Sequence, residues 1–217
     1  MKKVFIVGTA FRGLFISMFE KRGYRIVDSI AKADIVQFTG GADISPKFYN
    51  QHEHHTTYTS PERDAEEYEA WKEAKSLNKF CAGVCRGGQL LNALSGGNMY
   101  QDVKGHGLHG THDMVDIETG SRIPVSSLHH QMMIMGDSGR LLGKSDIMRS
   151  KEKLLMTPSH EEPGEVADYG EELEVEACFY PVTKAFCYQP HPEFVGEEHP
   201  CREWYFTKLE ELYNEVS

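Results

Sequence analysis

The sequence contains no long apolar run. A membrane-spanning helix needs roughly 18 or more consecutive apolar residues, and no segment approaches that length. The residues 1–3, Met-Lys-Lys, lead into only about five apolar residues before Gly8, which is shorter than the apolar part of a secretory signal. These two absences predict a cytoplasmic protein with no membrane contact.

Basic side chains are in short supply. The 23 lysines and arginines are outnumbered by 33 aspartates and glutamates, so the formal net charge is −10 with neutral histidines. Proteins that bind the phosphate backbone of nucleic acids generally need an excess of positive charge. We therefore expect no nucleic-acid partner.

The sequence also lacks the paired cysteines of a disulfide framework. Its five cysteines are an odd number and none lies in a C-x-x-C pair. This usage is typical of reduced thiols, any of which is free for chemistry. With 40% hydrophobic and 26% charged residues, and without repeats or low-complexity tracts, residues 1–217 are predicted to fold as one globular domain.

Apolar strands and amphipathic helices alternate along most of the chain. The run at 3–8 is apolar throughout, as expected of a strand buried on both faces of a parallel sheet. The patterns predict strands at 3–8, 24–27, 34–38, 80–84, 174–179 and 184–188, and helices at 11–21, 61–77, 86–94 and 202–216. The segment 100–163 gives no clear assignment. We predict a three-layer α/β domain with a mostly parallel central sheet and an irregular middle insertion.

The segment Gly83-Val84-Cys85-Arg86-Gly87 has the pattern of a nucleophile elbow. A nucleophile on a tight strand-to-helix turn leaves no room for neighbouring side chains, which explains the glycines. The helix N-terminus favours the thiolate form of the cysteine, and a nearby imidazole is needed to accept its proton. The alternative is a buried structural thiol, but the flanking strand, glycines and helix favour Cys85 as a nucleophile.

The tripeptide His191-Pro192-Glu193 offers a base and a carboxylate to orient it. The motif is weak alone, because any surface loop can contain it. It follows the predicted strand at 184–188, however, and sites in open α/β sheets lie at the carboxyl ends of strands, where Cys85 also lies. We expect both to share one crevice.

Glycines also follow the strand that ends at Phe38, in Thr39-Gly40-Gly41. This is either an ordinary glycine turn or half of an oxyanion hole. In the second interpretation the backbone N–H groups of Gly41 and Arg86, the residue after the nucleophile, bind the oxygen of a tetrahedral intermediate.

Taken together, these blocks resemble the class I glutamine amidotransferase superfamily, and most closely its gamma-glutamyl hydrolase branch, which includes gamma-glutamyl-gamma-aminobutyrate hydrolases. The shared blocks are Thr39 to Pro46 with Tyr49, Gly83 to Asn92 with Gly96-Gly97 and Gln101-Asp102, His129-His130-Gln131, and Gln189 to Glu193. The resemblance implies a flavodoxin-like sheet, a triad of Cys85, His191 and Glu193, and a thioester intermediate.

The resemblance also implies that Gln89, His130 and Gln131 line a glutamyl pocket. Gln89 lies one helical turn after Cys85, so it can face the substrate from the same side of the helix; the alternative is a hydrogen bond within the fold. One departure concerns substrate identity, since Ser126-Ser127 occupy the place where this branch usually has Asn-Ser.

Three functions remain open. The first is hydrolysis of a gamma-glutamyl amide bond, in glutamine or a gamma-glutamyl amine, releasing glutamate and ammonia or an amine. The second is a glutaminase subunit that passes ammonia to a partner synthetase. The third is a catalytically inactive binding module. The expected ligand is a small gamma-glutamyl compound, and the expected protein partner is a synthetase or a second copy of the chain.

Two sets of polar residues, the clustered histidines and the glutamates of one helix, are expected to be exposed to solvent. The eleven histidines include clusters at 52–55 and 106–112, but no His-Glu-x-x-His pattern accompanies them and both clusters lie in loop-like segments. We therefore predict solvated histidines, no metal site and no cofactor. The glutamates of the predicted helix at 61–77 are likewise expected on its wet face; these are Glu66, Glu67, Glu69 and Glu73.

Overall fold

The computed structural model describes residues 1–107, 110–150, 152–156 and 173–217. The strands are β1 (Lys3–Val7), β2 (Arg25–Ile26), β3 (Ile35–Phe38), β4 (Phe80–Val84), β5 (Asn98–Tyr100), β6 (Asp102–Val103), β7 (Gly110–Asp116), β8 (Arg122–Ser127), β9 (Met132–Ile134), β10 (Arg140–Ser145), β11 (Lys153–Leu154), β12 (Val175–Tyr180) and β13 (Ala185–Tyr188). The helices are α1 (Arg12–Lys21), α2 (Pro61–Ser76), α3 (Arg86–Leu94) and α4 (Pro200–Val216). None of these helices combines the length and the apolarity needed to cross a bilayer.

The main sheet has a parallel half and an antiparallel half. Its strand order is β2-β1-β3-β4-β13-β12-β10-β7-β8, and the strands from β2 to β13 are all parallel to their neighbours. From β12 onward the pairings are antiparallel, and β9 and β5 attach to β12 as a side branch. Strands β6 and β11 form a separate two-stranded sheet.

Helices cover both faces of the parallel half. In β1, Val4 and Ile6 pack into a core with α1 and α4, whereas Val7 belongs to a second core that includes residues of α2 and α3. Successive side chains of a strand point to opposite faces, so an apolar run of this kind needs cover on both sides. The arrangement confirms the predicted three-layer α/β architecture.

The middle segment, which the sequence left unassigned, supplies most of the antiparallel half. The register between β10 and β12 shifts around Gly143. Several buried positions of these strands carry polar residues, among them His112, Asp116 and Ser126. Such strands lack a sustained alternation of apolar and polar residues, which explains why their positions could not be assigned from the sequence.

Three neighbouring parallel strands end at one edge of the sheet. Phe38 of β3 pairs with Gly83 of β4, and Val84 of β4 pairs with Tyr188 of β13. The residues that follow these strands therefore emerge side by side, as sites at the carboxyl ends of parallel strands do. They include Cys85 and the segment that leads to His191.

Candidate active site

Cys85 lies on a strained turn between β4 and α3. Its backbone has φ 48° and ψ −114°, a region that residues with a side chain rarely adopt. Two hydrogen bonds hold the turn: the Cys85 N–H donates to the carbonyl of Tyr188 at 2.7 Å, and the Gln89 N–H donates to the carbonyl of Cys85 at 2.9 Å. The strain is therefore supported by the neighbouring strand and by the first turn of the helix.

The two glycines of the elbow are sterically required. A Cβ atom on Gly83 would lie 2.3 Å from the carbonyl of Gly87, and one on Gly87 would lie 2.5 Å from the carbonyl oxygen of Phe38. Both distances are far below van der Waals contact. The sequence argument, that the turn leaves no room for side chains beside Cys85, agrees with this geometry.

His191 and Glu193 form a buried hydrogen-bonded pair. His191 Nδ1 lies 2.7 Å from Glu193 Oε1, and each residue is only 4% exposed. The ring of Phe194 stacks on the imidazole with centroids 4.7 Å apart. Burial opposes protonation of His191, but the charge of Cys85, the hydrogen bond to Cys85 and the contacts with Glu193 outweigh it and raise the pKa of His191 to about 10.

The glycine loop after β3 lies against both residues. A Cβ atom on Gly40 would lie 2.9 Å from His191 Cε1 and 3.7 Å from Cys85 Cβ. The structure therefore brings together the elbow and the histidine, which the sequence predicted to share one crevice, and it adds the Thr39-Gly40-Gly41 loop. Only glycine allows the loop backbone to approach the imidazole so closely.

The two residues predicted to supply oxyanion N–H groups flank this crevice. Gly41 has φ 143°, a conformation open mainly to glycine. Arg86 is the first residue of α3, so its N–H is one of those that lack a carbonyl partner within the helix. The Arg86 side chain points into the protein, where it pairs with Asp64 at 2.6 Å and with Glu67.

Arg63 is a site residue that the sequence analysis missed. Its Nη2 donates to the carbonyl oxygens of Gly40, at 2.8 Å, and Thr39, at 3.2 Å. Its Nε donates to Glu67 Oε1 at 2.7 Å. Arg63 thereby fixes the loop that carries the predicted oxyanion donor to helix α2.

The prediction that Glu67 lies on the solvent-exposed face of its helix is wrong. Glu67 is 1% exposed and pairs with both Arg63 and Arg86, whereas Glu66, Glu69 and Glu73 are exposed as expected. The helical spacing of Glu67 from the apolar residues of α2 could have indicated that it is buried. The buried residues of this helix are Asp64, Glu67, Trp71 and Ala74.

The three residues assigned to a glutamyl pocket differ in their surroundings. Gln89 is buried, and its Nε2 donates to Gln189 Oε1 at 3.2 Å and to the carbonyl of Gln131 at 3.4 Å. Gln131 is also buried, and its Oε1 has no hydrogen-bond partner in the described part of the chain. His130 has a side chain 40% exposed and lies 3.1 Å from Asp43, and its hydrogen bond to Asp43 is the main cause that raises the pKa of His130.

Ser126 is a second residue that the sequence analysis did not place at the site. Its Oγ accepts a hydrogen bond from the His191 N–H at 2.7 Å. Ser126 belongs to β8, in the antiparallel half of the sheet. The backbone of His191 is therefore held by an element that the sequence pattern did not reveal.

The prediction of solvated histidines is wrong for part of each cluster. His106 and His112 are buried, at 0% and 6% exposure, and His54 is buried at 7%. His55 is exposed as expected, and His109 lies outside the described residues. Because β7 is a strand of the main sheet rather than a loop, it carries His112 into the interior.

Comparison with known proteins places the chain in a family. The family model for peptidase C26 matches residues 10–179. The glutamine amidotransferase-like protein YvdE homolog of Lactococcus lactis subsp. cremoris is 32% identical over 151 residues, which cover 64% of this chain and 78% of that protein.

Solved structures share the fold. A glutamine amidotransferase from Thermotoga maritima superposes with a TM-score of 0.60 at 15% identity, covering 99% of this chain and 85% of that one. PurLQS from the same organism gives a TM-score of 0.58 at 16% identity, covering 97% and 100%. At such identities the likeness concerns the fold alone, which is flavodoxin-like as the resemblance implied. The family match and the sequence relative identify an enzyme of the hydrolase or amidotransferase class, and the chain belongs to the peptidase C26 family of the class I glutamine amidotransferase superfamily.

Proposed function

We propose that the protein hydrolyses a gamma-glutamyl amide bond, with Cys85 as nucleophile, His191 as proton carrier and Glu193 as the group that orients His191. The observation that carries the proposal is the strained elbow at Cys85, which lies beside the buried His191–Glu193 pair at the carboxyl edge of the sheet. A backbone strain of this kind costs about 1–3 kcal/mol and persists mainly at functional sites. The same proposal takes residues 1–217 as one domain.

The first half of the reaction forms a thioester. The Cys85 sulfur attacks the gamma carbonyl carbon of the substrate, and the carbonyl oxygen becomes an oxyanion. The backbone N–H groups of Gly41 and Arg86 stabilise that oxyanion. As the C–N bond breaks, protonated His191 donates its proton to the departing nitrogen, which leaves as ammonia or an amine.

The second half releases glutamate. A water molecule attacks the thioester carbon while neutral His191 accepts a proton from it, and the C–S bond breaks to free the thiolate. The hydrogen bond from His191 Nδ1 to Glu193 directs the other ring nitrogen toward the sulfur and the water. Glu193 also stabilises the imidazolium that is present before each proton donation.

The glutamyl end of the substrate is proposed to bind near Gln89, His130 and Gln131. The partly exposed imidazole of His130 can reach a ligand directly. Gln89 and Gln131 are buried. The Gln89 side chain donates to the Gln131 carbonyl, and the Gln131 side chain donates to Thr57 Oγ1 and to the Gln101 carbonyl. Both residues therefore shape the pocket wall unless substrate replaces those hydrogen bonds.

A second candidate is a glutaminase subunit that works with a synthetase. The observation that favours it is the relationship of the chain to glutamine amidotransferase-like proteins. In this case the purified chain alone would turn over glutamine slowly or not at all.

A substrate panel separates these functions. Glutamine, gamma-glutamyl-aminobutyrate and poly-gamma-glutamate are incubated with the purified chain, and glutamate, ammonia and amine release are measured in parallel. We expect glutamate release from at least one gamma-glutamyl compound. Labelling of Cys85 by an electrophilic glutamine analogue without turnover would favour the subunit. The absence of both turnover and labelling would favour an inactive binding module and overturn the proposal.

A further inference from the structure

A second cluster of polar side chains lies in the interior of the antiparallel half. His106 precedes β7, His112 lies on β7, and Glu176 lies on β12. The side chains of all three are at most 2% exposed. Each can offer one ligand atom such that all three atoms lie within 4.8 Å of one another.

His106 turns one ring nitrogen into this cluster. Its Nε2 donates to Glu174 Oε2 at 3.0 Å, because a carboxylate can only accept. The other ring nitrogen, Nδ1, has no hydrogen-bond partner among the described residues and lies 3.7 Å from Glu176 Oε1.

Other polar atoms of the cluster are also buried without a partner among the described residues, namely Glu176 Oε2 and His112 Nδ1. A buried polar atom without a partner costs free energy, so each such atom calls for an explanation. The cluster therefore holds more polar atoms than the described protein groups satisfy.

A cation bound between these side chains would satisfy His106 Nδ1 and the carboxylate of Glu176. With metal–ligand bonds of about 2.0–2.2 Å in a tetrahedron, neighbouring ligand atoms are about 3.4 Å apart. The separation between His106 Nδ1 and Glu176 Oε1 is close to this value. His112 Nε2 is 2.7 Å from Glu176 Oε1, a hydrogen bond that must open by less than 1 Å and lose its proton to solvent when a metal binds.

Glu174 resembles the carboxylates that support metal-bound histidines. It accepts hydrogen bonds from the backbone N–H groups of Arg149, at 3.0 Å, and Ser150, at 2.7 Å, so its position is fixed while it holds His106. Carboxylates that bind the distal nitrogen of a histidine ligand in this way set the tautomer and orient the ring.

We propose that His106 Nδ1, His112 Nε2 and the carboxylate of Glu176 bind a zinc ion. Two imidazoles and one carboxylate are a ligand set that zinc commonly takes in proteins. The ion joins β7 to β12 and so fastens the β7–β8 hairpin, which carries Ser126, to the rest of the sheet. Its role is structural, and it takes no part in the chemistry at Cys85.

The zinc content of the full chain tests the proposal. Because the cluster is buried, the ion is loaded during folding, so the protein is refolded with equimolar zinc, dialysed and analysed for metal. The experiment is done in the Cys85→Ala variant, since a reactive thiol beside His191 could itself bind zinc. We expect one zinc per chain, and zinc retained only by protein with Cys85 intact would overturn the proposal.

Matched variants locate the ion. Glu176→Gln and His112→Ala should lose stoichiometric zinc, whereas His55→Ala, which removes an exposed imidazole, should retain it. Glu174→Gln should keep the ligands but weaken zinc affinity about 10–100-fold, as loss of a supporting carboxylate does. Zinc bound equally by Glu176→Gln and by the control would refute the site.

A readout that needs no ligand variant guards against misfolding. Cys85→Ala protein refolded with cobalt should show the intense visible bands of a low-coordinate nitrogen and oxygen site, without thiolate charge-transfer absorption. Zinc should also raise its melting temperature relative to protein refolded with a chelator. Absence of cobalt bands and of any shift would refute the proposal, whatever the result of the substrate panel.

Discussion

At the scale of single residues, Cys85 combines an unfavourable backbone conformation with the side chain of the proposed nucleophile. Its φ of 48° and ψ of −114° are accessible to glycine and costly for any residue with a Cβ atom. Holding the sulfur at the helix N-terminus therefore costs the folded state stability. The cost of the backbone conformation and the contribution of the sulfur to activity can be tested independently by substitution.

Replacing Cys85 by alanine and by glycine should have the same effect on activity and different effects on stability. Both variants lack the sulfur, so turnover should fall by at least about 10³-fold. Cys85→Gly also relieves the strained backbone and should unfold at a free energy about 1 kcal/mol higher than Cys85→Ala. The measurements are turnover and urea unfolding. Cys81→Ala, a buried cysteine of β4, is the control that loses stability and keeps activity. Activity retained by Cys85→Ala would exclude Cys85 as the nucleophile.

The raised pKa of His191 predicts where activity is lost in alkali. Because the pKa is about 10, His191 stays protonated as a general acid well above neutrality, so kcat/KM should decline only as the pH approaches 10. Glu193→Gln removes one cause of the raised pKa and should move this decline to lower pH. Glu198→Gln, at an exposed position, is the control and should leave it unchanged. An alkaline limb unaffected by Glu193→Gln would contradict the assignment.

The same pKa predicts a pH dependence of stability with a definite sign. The folded pKa lies above the unfolded value of about 6.5, so folding favours the protonated form. The stabilisation is complete below pH of about 6.5 and is lost as the pH rises toward 10. The difference in unfolding free energy between wild type and His191→Gln should therefore shrink over this interval. A difference that grows with pH would contradict the geometry.

At the scale of elements, the elbow shows how a glycine allows a helix and a strand to pack closely together. Gly87 brings α3 against the end of β3, because a Cβ there would meet the Phe38 carbonyl oxygen at 2.5 Å. Gly13, near the start of α1, has no atom of the described residues within 4 Å of its ideal Cβ position. Both positions are helical, but a Cβ atom has room at Gly13 and none at Gly87.

The same substitution should accordingly have opposite signs at these two helix positions. Gly87→Ala should destabilise the protein by several kcal/mol, since the contact is with backbone that cannot move without disturbing the sheet. Gly13→Ala should stabilise it by about 0.5–1 kcal/mol through helix propensity. Thermal melting of the two variants measures both effects. A tolerated Gly87→Ala would show that α3 can shift away from β3.

At the scale of the whole molecule, the predictable part is the parallel half. Its continuous apolar runs and its sharp glycine turns fixed the strands around Cys85 and placed His191 at the same sheet edge. The antiparallel half could not be predicted, because buried positions of its strands are polar, as at His112 and Ser126, and its register shifts near Gly143. Arg63 and Ser126 were missed for a related reason: their partners are backbone groups far away in sequence, and no local pattern encodes such contacts.

Ser126 lets the dependence of one half on the other be measured. Ser126→Ala removes the acceptor of the His191 N–H and should lower kcat by roughly 10²-fold or less through misplacement of the imidazole, with little change in KM. Ser127→Ala is the matched control, because the Oγ of Ser127 donates to the His106 carbonyl and not to His191. If the two variants lost kcat equally, the effect would be one of general hairpin stability and not of His191 position.

The pairing of β4 with β13 has a consequence for synthesis on the ribosome. Cys81 of β4 pairs with Ala185 of β13. Strand β4 is therefore translated more than 100 residues before the strand with which it pairs. Until then the Cys85 N–H lacks the Tyr188 carbonyl that holds the elbow, and His191 has not been made. A nascent chain therefore carries Cys85 without His191. In the proposed mechanism, hydrolytic competence then arises late, in the same step that closes the parallel half of the sheet.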